Sequence, residues 1–293
     1  MKGALTAALL MLALLAACGP SRQNVVVVGS KNFPEQLILG ELIAQQIEAR
    51  AHLKVERRFY LAGTYICQQA MLAGRIDVYP EYTGTALTAI LKQPPLNDPD
   101  AVFQKVQQQY EQNFRFAVLP SFGFNDTFAI EVRGADARRL HLATISQAAR
   151  YTPQWRAGFG YEFMERPDGY KGLVAAYGLK FARPPLIMDL GLLGRALADK
   201  QVDLAAGNST DGLIPVLDLA VLQDDKHYFP PYYAVPVVRE QALARHPELR
   251  AALAALAGKI SDQDMRDLNY AVDGKHRSVT DVVREFRQKK GLQ

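Results

Sequence analysis

The chain has 293 residues, 49% of them hydrophobic and 22% charged, with a formal net charge of +4. This describes a globular protein with a substantial core and excludes a disordered tail. The densest basic cluster, Arg284 to Lys290, alternates with apolar residues at helical spacing, which argues for a solvated helix face rather than a nucleic-acid arm.

The N-terminus begins Met1-Lys2 and continues as an apolar run to Leu15-Ala16-Ala17-Cys18, with the form of a secretory signal. Its last four residues look like a bacterial lipoprotein box. Residues 1–17 are then a signal peptide, Cys18 is lipidated, and residues 18–24 form a tether on the extracytoplasmic side of the envelope. The alternative is an ordinary signal or an uncleaved anchor with an incidental cysteine. Cys67 is left without a partner, so no disulfide framework is expected, and its apolar surroundings predict a buried thiol.

Val25 to Gly29 is a short β-branched run without alternation, the pattern of a buried parallel strand. Pro34-Glu35 opens a helix with Leu37, Ile38, Leu42, Ile43 and Ile47 at helical spacing. A strand from Val55 to Leu61, a helix from Thr64 to Ala73 stopped by Gly74, and a strand from Ile76 to Tyr79 complete a βαβαβ rhythm. After Pro94-Pro95 and Asn97-Asp98-Pro99 come a helix, Ala101 to Asn113, and strands at Phe116 to Leu119 and Thr127 to Val132. A second rhythm follows. Its strands are Arg156 to Phe159, Leu186 to Met188 and Val202 to Ala206, with helices near Tyr170 to Tyr177 and from Gly191 to Asp199. The strand Ala234 to Val238 leads into C-terminal helices.

The reading is therefore an α/β protein of two lobes, each a mainly parallel sheet flanked by helices. Residues 25–126 and 233–293 form the first lobe and residues 127–232 the second. Two crossings, near Phe124 to Thr127 and near Tyr232, make a hinge, and a ligand is expected in the cleft between the lobes.

Two turns at the carboxyl edge of the first sheet stand out. Gly29-Ser30-Lys31-Asn32-Phe33-Pro34-Glu35-Gln36 joins a strand to a helix start, where exposed N–H groups and Lys31 favour an anion. It also reads as an ordinary turn capped by Asn32 or Ser30. Tyr79-Pro80-Glu81-Tyr82-Thr83-Gly84-Thr85 offers ring faces to a cation, or merely boundary tyrosines with wet hydroxyls. No nucleophile elbow, zinc spacing or phosphate loop is present, and His52, His141, His227, His246 and His276 are scattered. An envelope enzyme would have to rest on Ser209-Thr210-Asp211 alone. No catalytic residue, metal or cofactor is expected.

The ordered set GSKNFPEQLILGE, YPEYTGTAL, FGFNDTFAI, ERPDGYKGL, NSTDGLI and FPPYYAVPVV resembles the substrate-binding proteins of ABC importers for glycine betaine, choline, proline betaine and related osmoprotectants. The resemblance runs from about Val25 to Val238 and implies the two-lobed periplasmic-binding-protein fold of type II. It also implies a cationic head among aromatic rings and a carboxylate held by basic and polar groups. Matched position by position, Lys31, Asn32 and Gln36 lie near the anionic end, Tyr82 is a cage wall, and Thr85 is a polar contact. Asp126 joins the site, and Phe128 stands where a tyrosine is usual. Arg166 matches a carboxylate-binding arginine, and Tyr232 or Tyr233 supplies another ring. Asn208 departs from the pattern, which often has an aromatic residue there; one lost ring costs a cage about 1 kcal/mol or more. Asp211 either faces the ligand or caps the helix that follows. The implied partners are a small zwitterion or organic cation and an ABC permease with its ATPase, and the protein is expected to be a monomer. Presentation of the closed form to a sensor, and capture of a different small polar ligand, stay open.

Overall fold

The computed structural model describes residues 25–292. The signal peptide, Cys18 and the tether lie outside the described residues. The described residues contain ten strands: β1 (Val25–Gly29), β2 (Lys54–Arg58), β3 (Val78–Tyr82), β4 (Phe116–Val118), β5 (Phe128–Arg133), β6 (Ala157–Phe159), β7 (Leu186–Ile187), β8 (Leu204–Asn208), β9 (Leu219–Leu222) and β10 (Ala234–Arg239). They form two five-stranded sheets, ordered β2-β1-β3-β10-β4 and β7-β6-β8-β5-β9.

Each sheet is mixed rather than simply parallel. β10 runs antiparallel to both β3 and β4, and β5 runs antiparallel to both β8 and β9. The remaining strands of each sheet share one direction. The reversed strand is in each case the one that enters a lobe from the other. It starts at the edge where the parallel strands end, so it has to run away from that edge. The register shows this directly: Phe128, first in β5, faces Asn208, last in β8, and Ala234, first in β10, faces Tyr82, last in β3. Pro80 and Pro236 face one another within β3 and β10. As neither has an N–H, the pair occupies a position where no exchanged hydrogen bond is needed.

Val26, Val27 and Val28 are fully buried, as a strand covered on both faces requires. The helix Pro34–Arg50 packs on this sheet and is covered in turn by the C-terminal helices Glu248–Ala254, Asp262–Asn269 and Val279–Lys289. That burial on two sides explains why it hides Glu35, Gln36, Glu41 and Gln46 as well as its apolar residues. Free Cys67 is buried, and burial pushes its thiol up to about 12, away from reactivity.

The two crossings run side by side. The Asp126 N–H donates to the Tyr232 carbonyl (3.1 Å), the Tyr232 N–H to Asn125 Oδ1 (2.6 Å), and the Ala234 N–H to the Phe124 carbonyl (3.3 Å). No helix among the described residues is long and apolar enough to cross a membrane.

Candidate ligand-binding site

A cavity of about 400 Å³ opens between the sheets, at the edge where the parallel strands end. Its walls come from the turns after β1, β2 and β3 on one side and after β6, β7 and β8 on the other, with Asp126, Phe128 and Tyr232 from the crossings at its back. Of the residues singled out in the sequence, Lys31, Asn32, Tyr82, Thr85, Asp126, Phe128, Arg166, Asn208 and Tyr232 all line it. Gln36 does not: it is fully buried behind the wall, where its Oε1 accepts the Lys31 N–H (3.2 Å). Tyr233 is outside too, its N–H held by Thr83 Oγ1 (3.1 Å).

Both cations of the wall are already paired. Lys31 Nζ lies 2.5 Å from Glu81 Oε1, with both side chains buried, and Glu81 also accepts from the Tyr82 N–H (2.7 Å) and the Tyr79 hydroxyl (3.1 Å). Arg166 grips Asp168 through Nε (2.9 Å) and Nη2 (2.6 Å), and Nη1 donates to Thr85 Oγ1 (3.0 Å). A guanidinium has five N–H donors, so two are left for a ligand. Asp168 receives hydroxyls from Tyr232 (2.6 Å) and Thr88 (2.8 Å) besides. Burial opposes the charge of both partners, yet each holds the other ionised: Arg166 is raised and Asp168 lowered from their ordinary values. These two cations are thus neutralised by their own partners and leave no net positive charge to attract a net anion, which suits a zwitterion.

The rings form two groups. Phe33 stacks on Tyr82 with centroids 6.4 Å apart, while Phe128 meets Tyr232 (5.5 Å) and Phe163 (4.8 Å) edge to face. They already receive cations: Lys31 Nζ is 5.0 Å from the Tyr82 centroid and Arg166 Cζ 5.0 Å from that of Phe128.

Behind Tyr82 lies a carboxyl pair. Glu35 accepts from the hydroxyls of Thr210 (2.5 Å) and Tyr82 (2.7 Å) and from Asn269 Nδ2 (3.0 Å), while Asp126 accepts the Thr210 N–H (3.3 Å). Burial lifts both above the ordinary carboxyl range, and the neighbouring Glu35 charge lifts Asp126 further. The pair therefore holds on to a proton to higher pH than free carboxyls do, and the three donors on Glu35 favour its charged form.

Asn32 and Asn208 line the cavity with no side-chain hydrogen bond among the described residues. Asp211 accepts the Leu213 N–H (2.8 Å) and caps a turn rather than a helix.

Several lining residues were not foreseen. Thr64, at the first position of the helix Thr64–Leu72, is buried, and its Oγ1 has no partner among the described residues. Tyr65, Glu162, Phe163, Met188 and Leu190 also line the cavity. The edge rule applied to β1 and β3 extends to the turns after β2, β6 and β7 and would have found them. Glu162 reaches across the cleft: its Oε1 accepts the Tyr65 N–H (3.3 Å) at a helix start that has no cap of its own. No group of His, Cys, Asp and Glu suited to a metal occurs among the described residues.

Over residues 24–289 the chain matches the family described as the substrate-binding domain of ABC-type glycine betaine transport systems. It is 36% identical over 277 residues to a carnitine transport binding protein of Listeria monocytogenes, covering 94% of this chain and 90% of that protein. An ergothioneine transport permease/ergothioneine-binding protein of Helicobacter pylori is 34% identical, over 92% of this chain but 48% of that longer protein. A solved glycine betaine/carnitine/choline ABC transporter structure superposes with a TM-score of 0.75 at 35% identity, covering 91% of this chain and 99% of the other. A cleft between two mixed sheets, walled by rings and paired cations, thus meets a match along nearly the whole chain, which belongs to the substrate-binding domain family of ABC-type glycine betaine transport systems.

Proposed function

We propose that this protein is an extracytoplasmic lipoprotein, anchored through Cys18, that captures glycine betaine or a related quaternary ammonium zwitterion and delivers it to an ABC permease. Residues 25–126 and 233–293 would close on residues 127–232 around the ligand, as a monomer and without chemistry on it. The observation that carries this is the convergence of Tyr82, Phe128 and Tyr232 with Arg166 and Lys31 on one cavity. The rings suit a methylated ammonium, which is large, weakly hydrated and unable to donate hydrogen bonds. The two spare N–H groups of Arg166 and the unpartnered Thr64 hydroxyl suit a carboxylate.

Calorimetric titration of the purified protein with glycine betaine, carnitine, ergothioneine and choline tests the reading. Binding of at least one zwitterion tighter than choline is expected. Silence across the panel removes the betaine assignment. Labelling with a radioactive acyl donor, lost in a Cys18→Ala variant, tests the anchor.

A further inference from the structure

The cleft is larger than the smallest ligand of the proposed class needs. At about 30 Å³ for each water in the liquid, its volume of about 400 Å³ is the space of roughly a dozen waters. Trimethylglycine, with about eight non-hydrogen atoms, fills less than half of such a pocket. Nor is the excess simply an open mouth, because Glu162 and the Tyr65 N–H already meet across it (3.3 Å).

The excess has its own character. The rings and ion pairs occupy the back, whereas Tyr65 and Ile66 of the first lobe and Tyr161, Met188 and Leu190 of the second line the outer part. Ile66 and Tyr161 are 52% and 61% exposed. Apolar side chains left bare inside a cleft mark a place where apolar ligand surface fits. Leu190 packs closely over the end of β6: a Cβ on Gly160 would stand 2.7 Å from its Cδ2, so a larger residue there would push the Leu190 side chain aside. The charged groups of the rim, Glu162, Glu165 and Asp189, are all acidic, and among the described residues the only cations lining the cavity are the paired Lys31 and Arg166. An acidic substituent is thereby disfavoured.

Resting on the betaine reading above, we propose that the outer cleft is a second subsite, taking the apolar or aromatic, non-acidic side group of a betaine larger than trimethylglycine. The head of such a ligand would stay among Tyr82, Phe128 and Tyr232 while its side group covers Ile66, Tyr161 and Leu190.

Calorimetry with glycine betaine and with the Nα-trimethyl betaines of phenylalanine and histidine tests this. At least one aromatic betaine is expected to bind tenfold or more tighter than glycine betaine. In Leu190→Ser, and independently in Ile66→Ser on the exposed opposite lip, that advantage should shrink at least threefold, with the smaller effect on glycine betaine. Glycine betaine binding at least as tightly as both aromatic betaines, or an advantage that survives both substitutions, overturns the subsite and leaves the betaine reading standing. Absence of binding by all three overturns the subsite, and silence of carnitine, ergothioneine and choline as well overturns the betaine reading with it.

Discussion

Gly63→Ala tests whether the contact across the mouth holds the closed form. A Cβ at residue 63 would lie 2.2 Å from the Glu162 carboxyl carbon and Oε1, far inside contact, so Glu162 must swing away. It then gives up the Tyr65 N–H (3.3 Å) and its place at the uncapped start of the helix Thr64–Leu72. A hydrogen bond to a charged group contributes about 1.5–3 kcal/mol and a helix terminus about 0.3–1 kcal/mol. The bond is long and Glu162 partly exposed, so a net loss of about 1–2 kcal/mol is the reasonable expectation. The contact joins two lobes, so an open form does not make it, and the whole loss falls on the closing step. Affinity should weaken about 5–30-fold, in the dissociation rate and not the association rate. Stopped-flow fluorescence and calorimetry measure both. Glu162→Ala should act alike, and Gly63→Ala added to Glu162→Ala should cost little more, because the two remove one contact. Unchanged affinity within twofold in both single variants, or full additivity in the double, would refute the latch.

Other outcomes are specific to single groups. Arg166→Lys abandons the fork on Asp168 and Thr85; affinity for carboxylate-bearing ligands should fall tenfold or more, while that for choline falls less than threefold in the same titrations. Asn208→Tyr restores a ring beside Phe128 and should tighten quaternary ammonium binding about fivefold, from about 1 kcal/mol of cation–π attraction; a weaker or equal Kd counts against Asn208 facing the head group. Lys31→Met leaves Glu81 buried without its cation, which costs about 3–5 kcal/mol and lowers Tm by on the order of 10 °C, and Lys31→Met with Glu81→Gln should recover more than half. Asp126 is a raised acid, so the native state keeps its proton longer than the unfolded chain does. Its contribution to stability is fullest below the ordinary aspartate value of about 3.9 and is lost as pH rises through the elevated one. Asp126→Asn should flatten the fall of Tm as pH rises above that ordinary value, and an unchanged slope there would show that Asp126 is not the group responsible.

The sequence carried most of this site because its residues sit in local patterns. Gly29-Ser30-Lys31 and Tyr82-Thr83-Gly84 each follow an apolar run that could only be a strand, and the ends of parallel strands collect ligands. Where the reading slipped, the cause was long-range. β3 was expected to stop at Tyr79, because Pro80 reads as a break; Pro236, at the matching position of a strand far along the chain, lets it continue to Tyr82. β9 was not foreseen, since four residues between turns carry no period of their own and take their form from β5. Gln36, in the first turn of its helix, is turned into the interior, and helical spacing alone does not say which face of a first turn looks outward. The bonds between lobes have no local trace: Tyr65 to Glu162 spans 97 residues and Thr210 to Glu35 spans 175.

The adjoining crossings divide labour between capture and retention. Phe128 and Tyr232 belong to the two segments that are hydrogen-bonded to each other between the lobes, so they lie near the pivot and travel least when the cleft gapes. Tyr82, paired with Ala234 at the start of β10, stands beside them, whereas Lys31 and Arg166 sit on turns outside the crossings and would sweep through a wider arc. Opening about the crossings would leave an arriving cation its first aromatic foothold in place, and closure would then bring up the groups that grasp its other end. Changes at the fulcrum should alter which head groups are admitted, whereas changes on the jaws should alter how long they stay.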